Sequence, residues 1–256
     1  YVEGYSDTFW QLELMPKNMA ELAGKNVFLA IPFFVMSGSI MSAGGIARRL
    51  VALAESLIGW MRGGIAIAAI VACVIFASLS GSAPVTLIAI GGLMYPAMVK
   101  AGYKSDFALG LVTTAGSLGC LVPPSVPMLV YSISVSGTSQ VDVRELFMSG
   151  AGPALLIVFM LSVYSYFRSG ATSSDKKFQW SEVSRTFREG AWALLLPVII
   201  LGGIYSGVFT ATEAASVSVV YALFVEFVIH RELHINQLPG IVLDAVQNMG
   251  ALVLII

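Results

Sequence analysis

The sequence predicts an all-α polytopic membrane protein, a fold class that rests on its composition and on two interrupted apolar stretches. Of its 256 residues, 57% are hydrophobic and only 11% are charged, whereas soluble domains carry about 25% charged residues. Apolar runs long enough to cross a bilayer recur along the chain, and two of them are broken midway by small residues and prolines. So apolar a chain would expose too much hydrophobic surface in water.

Charge and cysteine content exclude several other classes. A net charge of −1 indicates neither a nucleic-acid partner nor an acidic partner. Cys73 and Cys120 lie inside apolar runs without metal-ligand spacing, which is typical of small buried hydrophobes.

The first apolar run, 27–44, is predicted to span the membrane. After it, Arg48, Arg49, Glu55 and Arg62 are spaced among leucines and isoleucines. This pattern predicts an amphipathic helix that lies in the membrane interface.

The next stretch, 64–100, is broken between 78 and 84. Each arm would have about 14 residues, or roughly 21 Å of helix, and a hydrocarbon core is about 30 Å thick. Arg62 precedes the stretch, and Lys100 and Lys104 end it, so the positive-inside rule places both ends on the cytoplasmic side. The sequence therefore predicts a re-entrant helical hairpin whose tip lies near mid-membrane.

A second interruption divides the run 107–136 between 119 and 125. Pro123 and Pro124 remove two backbone donors and clash with the preceding turn. We expect two half-helices joined by an unwound stretch.

Two further spans, 149–167 and 191–205, flank the most basic loop, 168–190, which is expected on the cytoplasmic side. A last span is predicted to begin near Ile241.

Between these spans, Thr210 and Glu213 have the spacing of a capping box, which predicts the start of a helix. That helix returns to His230, and we expect His230 and His234 to be solvated at the interface.

The first and last spans would run in opposite directions, which is the inverted-repeat plan of secondary transporters with broken helices at the midplane. The chain begins with Tyr1 and ends in an apolar run, so we expect a fragment cut inside a membrane segment. The predicted regions are an outer loop, first span and arm helix (1–62), the hairpin with the unwound helix (63–147), connecting spans with the basic loop (148–240) and the start of a second, truncated repeat (241–256).

Unwound backbone at membrane depth is tolerated only where protein buries it or where it lines a watery cavity. The hairpin tip offers the hydroxyls of Ser78, Ser80 and Ser82, and the 119–124 break offers carbonyls that no helical donor claims. Oxygen ligands without fixed charge suit Na⁺ better than a transition metal. The alternatives without a binding function are a small-residue packing notch between helices at the tip and a simple proline kink at the second interruption.

Half-helix N-termini at the same interruptions would favour a carboxylate substrate. Gly81, Ala83 and Ser125 are the candidate substrate contacts there.

Several motifs resemble the large membrane subunit of TRAP (tripartite ATP-independent periplasmic) transporters. They occur in the same order as in that family, at 29–38, 45–50, 78–82, 119–125 and 207–215. The resemblance implies an elevator in the bacterial inner membrane that takes up an organic acid with Na⁺. It also implies two partners, a small membrane subunit and a periplasmic binding protein that delivers the acid. The acid would be of the C4-dicarboxylate or sialic-acid type.

The resemblance further implies that one Na⁺ is held between the hairpin tip and the unwound stretch. In this sequence, the implied ligands are Ser80, Ser82, Gly119, Val122 and Pro124. One departure is Ala211, where the family commonly has proline. The family's second hairpin would lie beyond Ile256.

Two other functions remain open from the residues. One is a Na⁺/carboxylate elevator symporter that works without a binding protein. The other is an intramembrane hydrolase built on Ser80 or Ser82, but no histidine lies inside an apolar span to activate a serine. The chain also shows no P-loop, so we expect a transporter and not an enzyme.

Overall fold

The computed structural model describes residues 26–135, 141–168 and 178–253, and the regular structure within them is helical. The helices are α1 (Ala30–Ala43), α2 (Ile46–Ile58), α3 (Gly64–Ser80), α4 (Ala83–Lys100), α5 (Ser105–Gly116), α6 (Val126–Val135), α7 (Val143–Arg168), α8 (Trp180–Tyr205), α9 (Ala211–His230) and α10 (Leu238–Val253). Two of them contain π turns, at Leu87–Gly91 in α4 and at Val225–His230 in α9.

Four of the described helices, α4, α7, α8 and α9, are long and apolar enough to cross a membrane. A fifth span is reached if α1 and α2, which are bent by 70° relative to each other, count as one element. The all-α polytopic prediction is thereby confirmed, whereas the inverted repeat and the elevator stay predictions.

Helices α3 and α4 form a hairpin that is closed at both ends. At the tip, Gly81 has a φ of 60°, in the left-handed region that glycine adopts at little cost. Ser82 is extended, and α4 then begins with proline in its first turn, where a missing N–H costs no helical hydrogen bond. At the open end, Tyr103 is 7% exposed and lies in the same apolar core as Ala66 in the first arm.

The arms are longer than the sequence suggested. Helix α3 has 17 residues and α4 has 18, so the prediction that neither arm is long enough to span is wrong for α4. Only Gly81 and Ser82 lie outside a helix, because Ser80 continues α3 and Pro84 fits the first turn of α4. Re-entry into the membrane from one side stays a prediction.

The second interruption is confirmed. Helix α5 ends at Gly116, a 3₁₀ turn covers Ser117–Cys120, and residues 121–125 are not helical before α6 begins. The peptide bond between Pro123 and Pro124 is cis.

The remaining helices surround this centre. Helix α1 packs along α9 and against α10, while α2 packs between α3 and α8. The face of α2 that carries Leu50, Leu53 and Ala54 is buried, in agreement with its predicted amphipathic character. On α7, Leu155 and Phe159 are 68% and 66% exposed, as expected of a surface that faces lipid.

Two predictions about polar segments need correction. Helix α8 begins at Trp180, so Arg185 and Arg188 lie in a helix and not in the predicted basic loop. The His230 side chain is only 6% exposed, because α9 continues through its π turn to that residue, whereas His234 is exposed as expected.

The capping box at the start of α9 is confirmed. The backbone N–H of Thr210 donates to the Glu213 carboxylate at 2.8 Å, and the N–H of Glu213 donates to the Thr210 hydroxyl at 3.3 Å. Glu213 is therefore occupied in starting its own helix.

Candidate functional site

The hairpin tip and the unwound stretch are in direct backbone contact. The N–H of Val126, the first residue of α6, donates to the carbonyl of Gly81 at 2.9 Å. A Cβ built on Gly81 would lie 2.3 Å from the Pro124 carbonyl oxygen, and one built on Gly119 would lie 2.7 Å from the Ala83 amide nitrogen. Glycine is needed at both positions, because only a residue without a side chain permits so close an approach.

Three buried side chains form a hydroxyl cluster at the tip. Ser80 and Thr86 are fully buried, and Ser82 is 5% exposed. The Thr86 hydroxyl donates to the Ser82 carbonyl at 2.8 Å and lies 2.9 Å from the Ser80 hydroxyl. The sequence analysis did not predict a role for Thr86. Its position one helical turn after Ser82 does indicate that the two residues lie on the same face of the helix.

The unwound stretch contributes carbonyl oxygens. In the part of the chain that the structure describes, no hydrogen bond ends on the carbonyls of Gly119, Val122 or Pro124, and all three residues are buried. Buried carbonyls are nearly always satisfied, and at membrane depth an unsatisfied one costs several kcal/mol. The five predicted Na⁺ ligands thus lie on two elements that touch, with two hydroxyls on one and three unclaimed carbonyls on the other.

The predicted substrate contacts lie at the same junction. The Gly81 carbonyl accepts from Val126, and Ala83 is half-buried beside Gly119. The Ser125 hydroxyl donates to the Cys120 carbonyl at 2.7 Å. Its proton therefore points into the protein, and Ser125 is left to accept a hydrogen bond from a ligand.

Helix α1 also reaches the junction, which sequence reasoning missed. A Cβ on Gly38 would lie 2.7 Å from the Cβ of Ser80. The neighbouring Ser37 is fully buried, and its hydroxyl has no hydrogen-bond partner among the described residues. The Ser-Gly-Ser run at 37–39 has the small residues typical of close helix packing in membranes.

A buried carboxylate lies away from this junction. Glu226 in α9 is fully buried and accepts hydrogen bonds from the backbone N–H groups of Gly45 and Ile46, both at 3.2 Å. The sequence signal was a lone acid inside an apolar run, which marks an intramembrane functional candidate.

The fold and the junction define a class of protein. Several membrane-length helices surround two interrupted elements whose backbones meet, and within the described residues no three His, Cys, Asp or Glu side chains could hold a metal ion. Unwound helices that meet inside a helical membrane protein are the construction of solute transport proteins.

Comparison with known proteins gives the family. Residues 4–256 match the family described as "Tripartite ATP-independent periplasmic transporter, DctM component". The chain belongs to this family of membrane transport permeases, and it is not an enzyme.

Individual relatives differ in the solute that their names give. The chain is 45% identical over 213 residues to the C4-dicarboxylate TRAP transporter large permease of Vibrio cholerae, covering 82% of this chain and 46% of the relative. It is 39% identical over 230 residues to the ectoine/5-hydroxyectoine large permease of Ruegeria pomeroyi, covering 89% and 52%. It is 35% identical over 254 residues to the 2,3-diketo-L-gulonate large permease of Escherichia coli, covering 97% and 59%. The chain spans about half the length of the curated relatives it matches.

Proposed function

We propose that this chain forms about half of the large permease subunit of a TRAP transporter in the bacterial inner membrane, and that the whole permease takes up an organic acid together with Na⁺. The observation that carries the proposal is the junction of the hairpin tip with the unwound stretch. Buried hydroxyls and unclaimed carbonyls lie on the two elements that touch there, and a hard monovalent cation satisfies several such oxygens at once without a fixed negative charge.

The proposed Na⁺ ligands are the hydroxyls of Ser80 and Ser82 and the carbonyls of Gly119, Val122 and Pro124. Thr86 supports this arrangement, because its hydroxyl holds both the Ser80 hydroxyl and the Ser82 carbonyl. In this proposal, Na⁺ binding completes the coordination that the backbone leaves open.

The proposed substrate is a carboxylate that binds beside the ion. The first turn of α4 and the first turn of α6 both begin at the junction, and helix N-termini carry partial positive charge. Gly81, Ala83 and Ser125 are its proposed contacts. The name of the relative in Vibrio cholerae, a C4-dicarboxylate permease, favours a C4-dicarboxylate as this substrate.

The proposed mechanism is an elevator, in which the hairpin and the unwound helix move together against the other helices. The hydrogen bond from Val126 to Gly81 supports this division, because it ties the two interrupted elements to each other. The region 63–147 would then be the moving part, and 1–62 would belong to the scaffold.

The proposed partners are the other two components that a tripartite system requires: a small membrane subunit and a periplasmic binding protein that delivers the acid. The family match favours this arrangement over a symporter that works alone.

The test is uptake into proteoliposomes that contain the complete complex, with its binding protein and a panel of radiolabelled acids. An inward Na⁺ gradient should drive accumulation of at least one C4-dicarboxylate, and an equal K⁺ gradient should not. Omission of the binding protein separates the tripartite system from a lone symporter. Equal uptake with Na⁺ and K⁺ would rule out the coupling.

A further inference from the structure

The bend between α1 and α2 is held by a residue from a distant part of the chain. Glu226 lies in the π turn of α9, fully buried. Its two carboxylate oxygens accept separately from the N–H groups of Gly45 and Ile46, each at 3.2 Å. π turns inside helices occur frequently at functional sites.

These two amides need a partner from elsewhere. The first N–H groups of a helix have no partner within it, and an N-cap side chain reaches only the N–H groups of the second or third helical residue. The N-cap of α2 is Gly45, which has no side chain and makes no side-chain cap. The carboxylate of Glu226 supplies the partner for the N–H groups of this N-cap residue and of the first helical residue, and it complements the positive end of the helix dipole.

The adjacent glycines are shaped for this contact. A Cβ on Gly44 would lie 2.1 Å from the carboxylate carbon of Glu226, and a Cβ on Gly45 would lie 2.0 Å from Glu232. We call the two hydrogen bonds from Gly45 and Ile46 to Glu226 the tie. The tie depends on both partners: a long acidic side chain on α9 and a backbone without side chains at the bend.

The charged groups around the tie reinforce it from the more exposed side. Glu232, which follows α9, pairs with Arg48 at 2.8 Å and with Arg49 at 2.5 Å, both in the first turn of α2. The Nδ1 atom of His230 is 3.9 Å from Glu226, too far for a direct hydrogen bond.

Helix α2 carries this geometry to the hairpin. It packs against α3, the first arm, and against α8. An altered angle at the start of α2 would therefore displace the arm that ends at Ser80.

We propose that Glu226 is a positioning residue: by binding the amides of Gly45 and Ile46 at the bend, its carboxylate sets the angle of α2 and thereby the placement of the hairpin. The effect on transport rests on the proposed function, whereas the effect on the α2 angle does not.

The first measurement is therefore geometric and uses the full-length permease. With Cys73 and Cys120 replaced by serine, spin labels at Leu57→Cys in α2 and Val220→Cys in α9 report the distance between the two helices; both positions are exposed. Glu226→Gln keeps the side-chain volume, but its amide nitrogen cannot accept from a backbone N–H, so one of the two amides loses its partner. The label distance should shift or broaden in this variant.

The matched control is Glu213→Gln, the same chemical change on the same helix. Glu213 caps its own helix and touches neither amide of the bend, so the distance should stay as in the parent protein. Gly44→Ala is the second test, because its Cβ would push the Glu226 carboxylate away. It should reproduce the effect of Glu226→Gln, so either variant decides the matter if the other fails to fold.

The second measurement is uptake by the complete complex. A positioning role predicts that Glu226→Gln lowers the maximal rate about tenfold or more, because the hairpin is displaced from the geometry that transport requires. A factor of ten corresponds to about 1.4 kcal/mol, which lies within the cost of one unpaired buried donor. The Na⁺ concentration for half-maximal uptake should rise as well, because the displaced arm ends at Ser80, one of the proposed ion ligands.

Two outcomes would overturn the inference: an unchanged label distance in both Glu226→Gln and Gly44→Ala, or uptake with the parent rate and the parent Na⁺ dependence in a variant whose label distance has shifted. Should the parent protein show no Na⁺-dependent uptake, the proposed function fails, and the label distance still decides the role of Glu226.

Discussion

Gly38 in the first helix lies directly against Ser80 at the hairpin tip. A Cβ on Gly38 would be 2.7 Å from the Cβ of Ser80 and 3.0 Å from its Cα, which is closer than side chains approach one another. The hairpin therefore rests on α1 through a contact that tolerates no side chain.

Gly38→Ala should accordingly push the tip away from α1. The obstructing atoms are the backbone and Cβ of a fully buried residue, which cannot rotate aside, and such overpacking costs about 1–3 kcal/mol. We expect a lower thermal unfolding temperature and a higher Na⁺ requirement for uptake. Gly110→Ala is the control, since a Cβ there meets nothing within 4 Å. Equal behaviour of the two variants would contradict the contact.

Ser80→Ala should raise the Na⁺ concentration for half-maximal uptake by roughly tenfold, the equivalent of about 1.4 kcal/mol. The change removes one proposed ligand and leaves the fold, because the side chain becomes smaller. Ser134→Ala is the control: its hydroxyl is exposed and bonds only the Val130 carbonyl of its own helix. If Ser80→Ala and Ser82→Ala both keep the parent Na⁺ dependence, the tip is a packing notch and binds no ion.

Gly81→Ala should be more destabilising than an ordinary substitution at a left-handed glycine. The left-handed conformation alone costs a non-glycine residue about 1–2 kcal/mol, and here the Cβ would also lie 2.3 Å from the Pro124 carbonyl oxygen. Gly207→Ala isolates the first cost, because Gly207 has a φ of 79° and its Cβ would meet only the mobile end of Arg144, at 3.2 Å. Thermal unfolding of both variants measures the difference, and a Gly81→Ala variant as stable as Gly207→Ala would argue against the close approach.

Cysteines that replace Arg62 and Lys100 should react from the same side of the membrane. Both positions are exposed, and the two ends of the hairpin share one apolar core, which contains Ala66 and Tyr103. The measurement is labelling with a membrane-impermeant thiol reagent in oriented vesicles after Cys73 and Cys120 have been replaced. Labelling from opposite faces would show that α4 crosses the membrane and that the hairpin is not re-entrant.

Local chemistry made both interruptions predictable. Adjacent prolines cannot continue a helix, so the break around Pro123 follows from the sequence. The predicted break at 78–84 is wider than the observed one, which comprises only Gly81 and Ser82. Ser78 and Ser80 remain helical, since a serine inside a helix can return its hydrogen bond to a preceding carbonyl, as Ser78 does to Ile75 at 2.7 Å.

Contacts between distant segments were not predictable in the same way. The tie between Glu226 and Gly45 joins residues 181 positions apart, and no local pattern encodes its partner. Charged residues also misled the boundary of α8, where Arg185 and Glu189 looked like loop residues. They lie one turn apart on the helix surface with their charges 4.0 Å apart, a spacing that mildly favours a helix.

The closure of the hairpin at both ends has a mechanical consequence. If the two arms were joined only at Gly81, their other ends could move apart without disturbing the tip. The apolar core shared by Ala66 and Tyr103 joins the arms at this end as well, so they form a single strut, in which α4 alone is about 27 Å long. A displacement of the Tyr103 turn is therefore transmitted along the strut to Ser80 and Ser82. A molecule that binds the Tyr103 turn would therefore restrict movement of the junction from the far end of α4. It would not compete with an ion or a substrate bound at the junction.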